Sequence, residues 1–182
     1  MQNAGSGSLI DRAMGVSMLN VATYEEIEHD SNATTQALIV VVVVAIASGI
    51  GQLTDNGLTG LIGALIGAVV FWLVFSVVAY VVGTMMLPGP NTSATVGQLL
   101  RCMGFAQAPD ALAIFALIPV IGWLIALFGG LWSLVTAIVG LRQALDISTG
   151  RAIVVGIISG IISGIITVIV MLPFGVAAWA LG

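Results

Sequence analysis

Between Asp110 and Arg142 lie 31 residues without a charged side chain. As one α-helix the stretch would reach about 46 Å, longer than the roughly 30 Å hydrocarbon core of a bilayer. Pro119 and Gly122 offer a break in its middle, so it reads as parts of two membrane spans joined by a very short turn. Hydrophobic residues make up 59% of the 182-residue chain and charged residues 7%. An ordinary soluble domain carries about 25% charged residues. So few polar groups could not cover a soluble surface, and lipid must cover much of this one.

The pattern predicts an all-α polytopic membrane bundle of five transmembrane helices, preceded by short cytoplasmic amphipathic helices. The spans fall near residues 35–51, 60–87, 97–120, 122–141 and 152–172. They form one domain, 35–182, behind an N-terminal arm, 1–34. Gln52 to Thr59, with Asp55, Asn56 and Gly57, reads as a tight loop. Pro88-Gly89-Pro90-Asn91 ends the second span. The third begins near Gly97 and bends at Pro109, which has no N–H to donate. Pro173 ends the fifth, leaving Phe174 to Gly182 at the surface. Residues 1–20 lack a basic stretch followed by an apolar core, so the first span is expected to be its own insertion signal.

Charge sets the orientation. There is no lysine, and the four arginines are Arg12, Arg101, Arg142 and Arg151. On five spans all four fall on one side, in the arm and in the connections after spans two and four. The positive-inside rule then places the N-terminus in the cytoplasm, in a cytoplasmic (inner) membrane, with Asp55 and Trp179 at the far face. A net charge of −4 excludes nucleic acid, which needs clustered cations.

"GIISGIISGII" aligns Gly156, Gly160 and Gly164 on one helix face, where small residues let backbones approach. The face packs against a neighbouring span or forms a homo-oligomer seam. Trp72, Trp123, Trp132 and Trp179 read as interfacial anchors or packing.

The arm carries half of the chain's carboxylates in six residues: Glu25, Glu26, Glu28 and Asp30, around the sole histidine, His29. Leu9, Ile10, Ala13, Met14, Ser17, Met18 and Val21 follow helical spacing, so residues 8–19 form an amphipathic helix. "TYEE" reads as a capping box that starts a second helix, 23–30, at Thr23. On it Glu25 and His29 share one face, and Glu26 and Asp30 another. A carboxylate and an imidazole one turn apart suit zinc or another divalent ion, so Glu25, Glu26, His29 and Asp30 are a candidate metal set. No second His exists to complete it in one chain. The alternative is that the acids hold the arm onto the cytoplasmic ends of the spans by pairing with Arg101, whose desolvation they would offset.

"YEEIEHDSNATTQALIVV", "LLRCMGFAQAPDAL" and "GLWSLVTAIVGLRQALDISTGRA", in that order, resemble the prokaryotic branch of the Yip family of five-span membrane proteins. The family is named for interaction with Ypt/Rab GTPases. The resemblance implies a cytoplasmic N-terminus, five spans, and an adaptor role in place of catalysis. On the family's pattern Glu26, Asp30, Thr34, Gln36, Arg101, Gln107, Pro109 and Arg142 are the polar or special positions. No nucleophile elbow, phosphate-binding glycine loop or paired histidines is present, so no catalytic residues and no cofactor are expected. Asp110 is either a helix-start acid or an intramembrane acid on an ion path. Two functions therefore stand: a scaffold or adaptor organising membrane lipid or a protein partner, and a homo-oligomeric channel or small-solute transporter.

Overall fold

The computed structural model describes residues 7–51, 53–118 and 120–181, without the side chains of 51–56 and 176–181. Among them every regular element is helical. In lipid no water satisfies exposed peptide groups, so a helix, which bonds its own backbone, is the natural spanning element. The elements are α1 (Leu9–Ser17), α2 (Val21–His29), α3 (Ala33–Gly51), α4 (Leu53–Val81), α5 (Val96–Ala106), α6 (Gly122–Ala144) and α7 (Thr149–Leu181). A π turn, Val82–Met86, extends α4, and a 3-10 helix, Ala108–Leu117, follows α5. Four helices are long and apolar enough to cross a bilayer: Ala33–Ile50, Gly57–Met86, Gly122–Ala144 and Thr149–Gly175. The protein is a multi-pass membrane protein.

The segment expected to be the third span is not one of these four helices. α5 gives way to the 3-10 helix as Pro109 removes a donor, and the pair runs antiparallel to α6 along its length. Gly140 lies beside Met103, Thr136 Oγ1 donates to Ala106 O at 2.6 Å, and Gly129 and Gly122 abut the backbones of Pro109 and Phe115. Pro119 lies outside the described residues.

Three local expectations are corrected. The stretch read as a loop, 52–59, is helical from Leu53 on both sides of one break at Gly57, whose φ of 57° a glycine adopts freely. The helix does not stop at Pro173 but continues through it to Leu181. Helices in lipid tolerate proline because neighbouring groups and local adjustment re-satisfy the freed carbonyl. Thr23 does not cap α2: Asn20 does, its Oδ1 accepting from Ala22 N at 3.1 Å. Thr23 instead packs on Gly15, where a Cβ would sit 2.5 Å from Thr23 Oγ1. The capping box lies at Thr95 and Gln98, at the start of α5.

The core lies toward the end of the bundle that carries the arginines. Tyr24, Ile27, Leu99, Phe105, Leu141 and Leu145 are fully buried there. Gly104 brings α5 onto α3, since a Cβ on it would lie 2.7 Å from Ala37 Cβ. The glycine repeat of α7 is not packed as expected. A Cβ on Gly156 would meet Leu141 Cδ1 at 3.2 Å, but Gly160 and Gly164 have nothing within 4 Å. Ser159 and Ser163 occupy the buried face of α7, whose main neighbour is α4. Trp72 is buried and donates to Leu100 O at 2.9 Å, whereas Trp123 is exposed. The side chains of Asp55 and Trp179 lie outside those described.

Gly104→Leu is expected to destabilise by about 1–3 kcal/mol, through overpacking against Ala37. Gly160→Leu should leave the melting temperature unchanged. Thermal melts of both variants in detergent check this, and the reverse order would contradict the packing described.

Candidate functional site

Two assemblies gather the polar side chains. The first joins the arm to the bundle. Arg12 lies on the inner face of α1 with Leu9, Ala13 and Val16, and is 1% exposed. Its Nε and Nη2 donate to Glu26 Oε1 at 3.1 and 2.9 Å, and Nη2 donates also to Asp30 Oδ2 at 2.6 Å. Nη1 donates to Gln36 Oε1 at 2.9 Å. One guanidinium thus ties α1 to α2 and α3. Burial alone would lower the Arg12 pKa, but the bonds to Asp30 and Glu26 outweigh it and raise it. The Arg12 hydrogen bond holds the Asp30 carboxyl below its ordinary value.

The expected partner, Arg101, is not the one that takes the acids. Its Nε donates to Ile27 O at 3.0 Å, and its Nη2 donates to Glu28 O. It therefore caps the last carbonyls of α2, where a cation also suits the helix dipole. Gln98 Nε2 donates to Glu28 Oε1 at 2.8 Å, and burial pushes the Glu28 carboxyl up. Tyr24 Oη donates to Thr136 O at 2.9 Å, and Trp132 Nε1 donates to Ser17 O at 2.7 Å. These bonds tie α1 and α2 to α6, and both helices also pack on α5. The outer stripe of α1, Ile10, Met14 and Met18, is exposed.

The metal set is corrected on the same geometry. Glu26 and Asp30 are engaged by Arg12, and His29 Nδ1 lies 2.8 Å from the Glu25 carbonyl oxygen. Among the described residues no group of three or more His, Cys, Asp or Glu could hold a metal ion.

The second assembly is a cavity of about 650 Å³ between α4, α5, α6 and α7. Its walls are apolar except for Gln107, Asp110 and Ser133. Ser133 Oγ is buried without a partner, and it lies by Asp110 without a well-formed hydrogen bond between them. Of the positions picked from sequence, Glu26, Asp30 and Gln36 meet at Arg12, Gln107 and Asp110 meet in the cavity, and Thr34 and Arg142 join neither. Arg12, Tyr24 and Ser133 were missed. Arg12 had a signal: a lone charge on the apolar face of an amphipathic helix demands a counter-charge.

A family model described as Yip1 domain matches residues 16–172. Neither a curated protein nor a solved structure matches the chain.

Arg12→Met should cost about 1–3 kcal/mol, moderated because Glu26 is partly open to water. With Asp30→Asn the double variant should lose less than the sum, and simple additivity would contradict the latch. Asp30 has a depressed pKa, so its contribution is present above the ordinary value of 3.8 and is lost as pH falls through the lower folded value. Melts of the parent from pH 6 downward, about two units past that value, should show an acid-side loss that Asp30→Asn flattens.

Proposed function

The chain belongs to the Yip1 domain family, and on that premise we propose that it is a five-span, non-catalytic scaffold or adaptor of the cytoplasmic membrane. The observation that carries this reading is the fusion of arm and bundle into one body. Arg12, Arg101, Gln98, Tyr24 and Trp132 are all spent on holding α1 and α2 in place. The outer face of α2, with Glu25 and His29 exposed, is left as a fixed polar surface that a protein partner could read. Fixing a surface before binding lowers the ordering cost of association, which suits an adaptor.

Orientation follows from the arginines. Arg12 and Arg101 sit at α2, and Arg151 Nη1 donates to Pro88 O at 2.8 Å at the same end of the bundle. Arg142 lies in the last turn of α6, beside that end. The positive-inside rule supports a cytoplasmic N-terminus.

The second reading is a homo-oligomeric channel or transporter, and one observation favours it: Asp110 lines a largely apolar cavity between the helices. The lining of that cavity is otherwise nearly all apolar, so no continuous polar stripe supports conduction.

Two measurements decide. Purified protein in liposomes should pass no ions or small solutes, with its mass in native lipid reporting the oligomeric state; sustained flux would overturn the scaffold reading. In a Cys102→Ala background, a cysteine at position 146 should resist an impermeant external reagent in intact cells. Labelling from outside would overturn the orientation.

A further inference from the structure

We propose that the cavity is a binding site for an uncharged, membrane-soluble alcohol: one long apolar tail bearing one hydroxyl. The proposal rests on the chain's being embedded in lipid, but not on the adaptor reading.

Size and lining come first. About 650 Å³ falls within the range of sites that enclose small ligands. Phe71, Phe75, Ile138, Leu141, Ile157 and Ile161 make the wall, which suits an aliphatic tail. The glycine repeat of α7 makes the space. Gly156 and Gly160 line it, and a Cβ on Gly160 would meet nothing within 4 Å.

The three polar groups cluster at the deep end. Ser133 stands about 16 Å along α6 from Ala144, toward the far end of the cavity from the arginines. Gln107 and Asp110 project from the junction of α5 and the 3-10 helix beside it. Ser133 is 8% exposed and its oxygen has no partner. The Gln107 and Asp110 side chains make no hydrogen bond of good geometry among the described residues. Unpaired polar groups in so apolar a site are costly. A ligand that bonds them relieves the cost.

The chemistry of the head follows. The Asp110 carboxyl oxygens accept, the Gln107 amide donates and accepts, and the Ser133 hydroxyl does both. A hydroxyl has one proton and two lone pairs. It can donate to Asp110 while accepting from Gln107 or Ser133. An ether or ester offers acceptors only, so it can pair with Gln107 or Ser133 but adds no donor for Asp110. A phosphodiester brings acceptors to an acceptor, and any charged head that enters so apolar a cavity loses its hydration at high cost. An uncharged alcohol enters from the lipid without that cost.

Trp72 lines the cavity and reports on it. The full chain in phosphatidylcholine nanodiscs is titrated with a dibrominated octadecanol, whose bromines quench a tryptophan in contact. The parent-minus-Trp72→Phe difference isolates Trp72. Comparison probes are the corresponding methyl ether, the amine and a brominated phosphatidylcholine. The expected result is saturable quenching by the alcohol at a mole fraction roughly tenfold below that for the ether. Ser133→Ala and Gln107→Leu should each narrow that ratio. Gly160→Leu, which fills the space, should abolish the saturable phase with the melting temperature unchanged. If Gly160→Leu melts early, Ala137→Leu tests the same filling, and if neither folds, the parent's alcohol-to-ether ratio decides. Equal quenching by alcohol and ether, or by the phospholipid, would mean that bulk acyl chains fill the cavity and would overturn the proposal. Tighter quenching by the amine would overturn it in favour of a cation. Ion flux in liposomes would sink the adaptor reading without altering that ratio, so the two can fail separately.

Discussion

The Arg12 guanidinium is fully buried and reaches three helices at once. A guanidinium cannot lose its proton inside a protein, so its burial demands acceptors in fixed positions. Glu26, Asp30 and Gln36 supply them from α2 and α3. This settles the place of the arm. With α2 tied to Arg12, its C-terminal carbonyls lie within reach of Arg101, and Tyr24 reaches the backbone of α6. An arginine paired in this way need not stabilise more than a well-packed apolar residue would. What it adds is selectivity, because any other seating of α1 strands the charge.

The two halves of the molecule follow different physics. At the arginine end, hydrogen bonds and a dense core fix one arrangement of helices. Farther along, lipid-facing aliphatic side chains dominate α4, α6 and α7, and α6 and α7 leave a cavity between them. Thr136 sits at the border. Its Oγ1 bonds Ala106 O where α5 is about to become a 3-10 helix, and its carbonyl receives Tyr24. The change of helix type turns Gln107 and Asp110 toward the cavity instead of the arm.

The spans were legible because lipid burial needs only composition and length. Local breakers were less reliable. Pro173 was read as an end, yet it is one imperfection in a helix that continues through it. The acids were legible as two i, i+4 pairs, but their partner was not. Arg101 lies near them, and Arg12 takes them only because the chain reverses at Leu19, which adopts a φ of 59°, and restarts under the Asn20 cap. That reversal depends on Thr23 packing against Gly15, which no spacing rule reveals. Gln107 and Asp110 stood out as polar residues in an apolar stretch. Ser133 did not, because its isolation arises from how far α6 stands from α7.

The central claim is that the arm is part of the bundle and is held there by Arg12. Amide hydrogen exchange of the full chain in nanodiscs addresses it directly. The account predicts that residues 9–29 are protected to a degree comparable with α5. It predicts also that Arg12→Met releases protection across α1 and α2 while leaving α5 unchanged. Exchange of residues 9–29 at free-peptide rates in the parent would contradict it.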